Sequence, residues 1–123
     1  MKNQYADEAK GRWPEEFQTS EKNLGKLSAF EQEALFQRGE AITKTMASVL
    51  LAKAEPNSDA CQAIVANHFN WIAAFWQPNQ TSYIGLGEMY LQDPRFMAHY
   101  QDYAPGLAAY MCAAMRFFAE ANL

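Results

Sequence analysis

Apolar residues in this chain recur at steps of three and four over long stretches, and glycine and proline cut those stretches into separate helices. The clearest stripe joins Cys61, Ile64, Val65, His68, Phe69, Ile72, Phe75 and Trp76, which places them on one side of a central helix. Ahead of it, Ser28 and Glu31 have the spacing of a capping box, in which each side chain satisfies the other residue's backbone N–H. That box predicts a helix running to about Lys53, with Leu35, Ile42, Met46, Val49 and Leu50 on one face. Glu55-Pro56-Asn57 ends it, and Ser58 is the expected N-cap of the central helix.

Gln77-Pro78-Asn79-Gln80 breaks the central helix, and a shorter one is predicted from about Thr81 to Leu91. Asp93 and Pro94 then supply an N-cap and an N1 proline to a short helix carrying Phe96, Met97 and Tyr100. Beyond Pro105-Gly106, Leu107, Met111, Ala114, Met115 and Phe118 share one face of a final helix. No window alternates in polarity between turn signals, so the expected fold class is all-α. Residues before Ser28 read differently. Tyr5, Ala9 and Trp13 make a sparse stripe interrupted by Gly11 and Pro14, and short isolated helices are marginal in water. Residues 1–27 are therefore expected to form a weakly anchored helical lid over a core spanning 28–123.

A length of 123 residues suits one domain, and a make-up of 50% hydrophobic and 20% charged residues is that of a globular protein. Charge distribution narrows the function further. Beyond Ala54 the only cationic residues are Arg95 and Arg116, against Glu55, Asp59, Glu88, Asp93, Asp102 and Glu120. A nucleic-acid binder needs lysines and arginines to displace phosphate counterions, so direct nucleic-acid contact is rejected. No apolar run, the longest being Leu107 to Met115, approaches the ~20 residues that span a bilayer. Met1-Lys2-Asn3 leads into a polar segment with no secretory signal. Two cysteines, Cys61 and Cys112, are too few for a disulfide framework and read as buried thiols of a cytoplasmic protein.

The surplus of rings is the most informative chemical feature. Of 17 aromatic residues, 12 fall between Phe69 and Phe118. Phe69, Phe117 and Phe118 read as core. Trp71, Tyr83, Tyr90, Tyr100 and Tyr110 each carry a polar handle that a dry core must satisfy, and an aromatic cleft with a few hydroxyls is the usual make-up of a small-molecule pocket. Met89, Met97, Met111 and Met115 add adaptable side chains to the same half. His68 reads either as a histidine hydrogen-bonded within the core or as a donor in the pocket wall. Its backbone lies roughly 10 Å from that of Cys61 along the helix, too far to share a zinc ion without other ligands. No spacing completes a metal site. Two helical histidines, His68 and His99, raise haem, which the sequence does not decide; the expected cofactor is none.

No catalytic residue is assigned, because no serine or cysteine sits in a nucleophile elbow with an acid–base partner. Glu88 reads as an exposed or capping helix residue. Gly85-Leu86-Gly87 lies inside a helix, where each glycine costs about 1 kcal/mol relative to alanine, which predicts a close backbone approach there.

Trp71-Ile72, the run Gly85-Leu86-Gly87-Glu88-Met89-Tyr90 through Asp93-Pro94-Arg95-Phe96 to Tyr100, and Pro105-Gly106-Leu107-Ala108-Ala109-Tyr110 together resemble the TipA-type antibiotic-recognition domain. Glu8-Ala9-Lys10-Gly11-Arg12-Trp13 is similar to that family's N-terminal segment, although Trp13-Pro14 departs from its usual Trp-Gly. The resemblance implies a globin-like helical fold with a deep cleft for thiopeptides or other bulky hydrophobic drugs. It also implies an effector module that, in many members, follows a MerR-type DNA-binding domain and a dimerising coiled coil. This chain is then either a stand-alone binder or part of a longer regulator. The family archetype captures thiopeptide through a cysteine in the connection after the Trp-Ile helix. Gln77-Pro78-Asn79-Gln80 stands in that place, so binding is expected to be non-covalent.

The expected ligand-binding set is Tyr5, Trp13 and Phe17 from the N-terminal segment, His68, Trp71, Phe75 and Trp76 from the central helix, and Tyr83, Met89, Tyr90, Phe96, Tyr100 and Tyr110 beyond it. The rings of the C-terminal half are expected to line an open cleft. The competing readings are a helical interaction or dimerisation module without a small ligand, and an enzyme acting on such compounds. A homodimer is left open.

Overall fold

A computed structural model describes residues 22–123, and every described regular element is helical. Residues 22–25 form a helical turn, followed by α1 (Ala29–Leu51), α2 (Asp59–Ala73), α3 (Gln80–Gln92), α4 (Pro94–Gln101) and α5 (Leu107–Asn122). The chain is all-α, as the periodicity requires.

Four of the five helices, α1 to α4, start at a local side-chain hydrogen bond. Ser28 and Glu31 form the reciprocal capping box at α1. Ser58 accepts from the Cys61 N–H at α2, and Asn79 exchanges bonds with Ser82 at α3. Asp93 caps α4 ahead of Pro94. Gly106 sits at φ 82°, a left-handed conformation open to glycine at little cost, and this turn starts α5. α1 ends at Leu51, close to the expected Lys53, and the turn that stops it contains no glycine. Lys53 takes the left-handed position at φ 64°, while the Ala54 N–H donates to Val49 O and the Lys53 N–H to Leu50 O. This pair of bonds is a Schellman motif built on a lysine.

The core lies where α5 packs along α3 and closes on α2, with α1 laid against α2 and α4 bracing α3 and α5. Met46, Cys61, Val65, Tyr83, Leu107, Met111 and Met115 are fully buried there. Residues 22–27 are tied down at two places. Asn23 Nδ2 donates to Phe75 O at 2.7 Å, and Gln32 Nε2 donates to Leu24 O at 2.9 Å.

Two burial expectations need correction. Phe117 is 43% exposed, because one 100° helical step carries it off the face that buries Met115 and half-buries Phe118. Cys112 is half-buried, since it borders the α3 contact without lying inside it. The expected close approach at the α3 glycines is present at Gly87. A Cβ there would stand 3.3 Å from Cys112 Cα, so glycine lets the α3 and α5 backbones meet.

Candidate functional site

The inward face of α2 delivers His68 to the middle of the molecule, where α3 meets it with two tyrosines seven residues apart. Two helical turns separate Tyr83 from Tyr90, and the imidazole fills the interval between their hydroxyls. Tyr83 Oη lies 2.7 Å from His68 Nδ1, and Tyr90 Oη lies 3.4 Å from His68 Nε2. All three side chains are buried, with Tyr83 fully enclosed.

Rings extend outward from this centre in three directions. Trp71 lies 5.9 Å from His68 and 5.3 Å from Phe75, which it meets edge-on. Tyr90 packs on Phe96 at 5.3 Å and on Tyr100 at 4.9 Å, and Tyr100 leads to His99 at 5.1 Å. Tyr83 and Phe69 meet at 5.3 Å, and both reach Phe118. Such tilted and edge-on pairs add roughly 0.5–1.5 kcal/mol each beyond the area they bury.

Seven of the expected ligand-binding residues, His68, Trp71, Phe75, Tyr83, Tyr90, Phe96 and Tyr100, are thus joined in one continuous array. Trp76 is half-buried against the core, and Met89 lies within it. Tyr110 stands elsewhere, donating its hydroxyl to Ala54 O at 2.8 Å beside the loop that follows α1. Tyr5, Trp13 and Phe17 fall outside the described residues. The expected open cleft takes a different form among the described residues. Tyr83, Tyr90, Phe96 and Tyr100 are buried, and the partly exposed rim is made by Trp71, Phe75 and Trp76.

Trp71 is positioned by two features of α1. Its indole Nε1–H donates to Leu35 O at 2.8 Å, and its ring rests on Gly39. A Cβ on Gly39 would come within 2.7 Å of Trp71 Cε2 and nearer still to Cζ2. The sequence reading did not single out Gly39. The signal available was a glycine in the interior of a long helix, which is costly unless another group needs the space.

Burial sets the electrostatics of the array. Desolvation lowers the His68 pKa from 6.5 to about 4, so the imidazole is neutral at pH 7. Desolvation, followed by the neighbouring Tyr90, raises the Tyr83 phenol far above its ordinary range. The Cys61 and Cys112 thiols are also pushed up, mainly by burial, which removes the thiolate that covalent capture would need. Glu88 is on the surface, paired with Arg116 at 2.9 Å. Among the described residues no group of three His, Cys, Asp or Glu is placed to hold a metal ion. The array therefore offers neutral rings and hydroxyl–imidazole hydrogen bonds.

A groove of about 370 Å³ lies apart from these rings, between Arg38, Ala41, Ile42 and Thr45 of α1 and Ile64 and Asn67 of α2. None of the residues expected at the site lines it. Its only trace in the sequence is the spacing that puts Arg38, Ala41, Ile42 and Thr45 on neighbouring positions of one helix.

Comparison with known proteins agrees with the architecture. The chain is 34% identical over 120 residues to the HTH-type transcriptional regulator SkgA of two Caulobacter vibrioides strains, a match covering 94% of this chain and 45% of the regulator. The chain thus spans about half the length of those curated relatives. Its fold matches, with a TM-score of 0.82 and 24% sequence identity, that of TipAS from a thiopeptide antibiotic multidrug resistance system of Streptomyces lividans, solved in complex with nosiheptide. That match covers 97% of this chain and 85% of the other, and the shared fold is the globin-like helical one. Residues 5–118 match the family model of the TipAS antibiotic-recognition domain, and the chain belongs to that family.

Proposed function

We propose that this domain binds bulky, ring-rich hydrophobic molecules of the thiopeptide kind without covalent capture, and serves as the sensing module of a drug-responsive transcriptional regulator. The observation that carries the reading is the convergence of rings on the neutral Tyr83–His68–Tyr90 centre in a chain of an antibiotic-recognition family. Nosiheptide bound to a protein of the same fold supports the ligand class, and the longer curated relative supports the regulatory setting. Trp71, Phe75 and Trp76 supply the partly exposed stacking rim and Tyr90, Phe96 and Tyr100 the rings behind it, with Tyr5, Trp13 and Phe17 the proposed contribution of the N-terminal segment. Non-covalent uptake is supported by Gln77-Pro78-Asn79-Gln80 in the α2–α3 connection and by the raised thiol pKa values. The cytoplasm is the setting in which such a regulator would work, and the regulator relative supports it for this chain.

A thermal-shift screen of thiopeptides and polyaromatic drugs tests this reading. A ligand at about 100 times its Kd stabilises a native state by about 2.7 kcal/mol, enough to raise the Tm by roughly 10 °C in a domain of this size. Saturable shifts with the compound's mass unchanged after incubation are expected. A panel without any shift would favour an interaction module that has no small ligand, and a changed mass would indicate an enzyme.

A further inference from the structure

The groove between α1 and α2 differs in chemistry from the aromatic array. Ile42 and Ile64, 8% and 9% exposed, lie at its floor, and Ala41 and Thr45 continue the α1 wall. None of its lining residues carries a ring, so it offers aliphatic contact without stacking. Its volume of about 370 Å³ is near the lower end of the ~300–1,000 Å³ range of small-molecule pockets, which suits a compact ligand.

The polar groups around this aliphatic trough are mainly donors. Arg38 stands on the α1 side, and Asn67 adds an amide with two N–H groups on the α2 side. Thr45 Oγ1 already donates to Ala41 O at 2.9 Å, so its hydroxyl is left with acceptor capacity only. Arg95 pairs with Asp93, and Arg116 with Glu88 and Glu120, but no carboxylate among the described residues pairs with Arg38. Its neighbours three and four residues away along α1 are Ala34, Leu35, Ala41 and Ile42, so the helix supplies no counter-ion at contact spacing. A guanidinium matches a carboxylate through two parallel N–H bonds. A cation and an amide facing each other over an aliphatic floor are complementary to an anion with an aliphatic tail.

We propose that this groove is a second binding site, which takes a small aliphatic monocarboxylate. The carboxylate is held by Arg38 and Asn67, and the alkyl chain lies along Ile42 and Ile64. This site shares no residue with the aromatic array, so it stands whether or not ring-rich molecules bind there.

Octanoate and octanamide, which share a chain but differ in charge, test the proposal on the ¹⁵N-labelled full chain. Octanoate should cause saturable amide shifts centred on Ala41, Thr45, Ile64 and Asn67. It should bind about fivefold more tightly than octanamide, because an ion pair at an exposed arginine is worth up to ~1 kcal/mol. Arg38→Gln should remove that preference, whereas Lys44→Gln, a charge change on α1 outside the groove, should keep it. Ala41→Trp places a ring in the groove from an exposed helix position and should abolish binding of both probes with little change in Tm. The proposal is overturned if octanoate causes no saturable shift, or if its shifts centre on the aromatic array. Equal binding of the two probes, or an unchanged preference in Arg38→Gln, would also overturn it.

Discussion

Gly39→Ala is the sharpest test of how α1 positions the rim of the site. On an exposed helix the change would stabilise the protein by about 1 kcal/mol. Here the new methyl would stand within 2.7 Å of Trp71 Cε2, so the indole must move. Movement is resisted, because Trp71 Nε1 is bonded to Leu35 O at 2.8 Å on the same helix and its ring is held edge-on by Phe75. Overpacking a well-filled contact costs about 1–3 kcal/mol, and a lost hydrogen bond adds about 1 kcal/mol. Offset by helix propensity, the net destabilisation is about 2 kcal/mol, or a Tm decrease of roughly 8 °C by calorimetry. Gly25→Ala is the matched control, since a Cβ there meets nothing within 4 Å. It should leave the Tm unchanged or slightly higher. If Gly39→Ala raises the Tm as the control does, the indole is not seated on Gly39 and the account of the rim is wrong.

Other outcomes follow from the same geometry. His68 has a folded pKa of about 4 against about 6.5 unfolded, so between those values the unfolded state holds more protons and stability falls as the pH drops. Urea titrations should show a loss of about 2 kcal/mol from pH 7 to pH 5, and His68→Gln should remove most of that slope; an unchanged slope would place the titrating group elsewhere. His99, also lowered mainly by burial, contributes in the same direction and remains in the variant. Gly87→Ala should destabilise by about 1–2 kcal/mol in spite of its better helix propensity, because the methyl would meet the Cys112 backbone at 3.3 Å. An increase in Tm would show that α3 and α5 can separate at no cost. Trp13→Ala is expected to weaken nosiheptide binding with little change in Tm, and a Tm loss matching the affinity loss would assign Trp13 to the core.

The helices were legible because their starts depend on short-range chemistry. Ser28–Glu31, Ser58 and Asp93–Pro94 cap the helices at which they were expected. The Schellman end on Lys53 was hidden, since its left-handed φ arises at a residue that carries no signal for it. At the site, residue types marked the ring-bearing half of the chain, but not which rings would meet. Tyr110 and Tyr90 look alike in sequence, yet one turns to Ala54 O and the other to His68. That choice is made by the crossing of α2, α3 and α5. Gly39 illustrates the same limit, because its partner Trp71 lies on a different helix.

The central claim is that ring-rich molecules bind at the aromatic array. Titration of the ¹⁵N-labelled full chain with nosiheptide, followed through amide and indole N–H shifts, addresses it most directly. The account predicts saturable changes centred on the α2 and α3 residues around His68, Trp71 and Tyr90. A spectrum that stays unchanged at saturating compound, or changes confined to the Arg38–Asn67 groove, would contradict it.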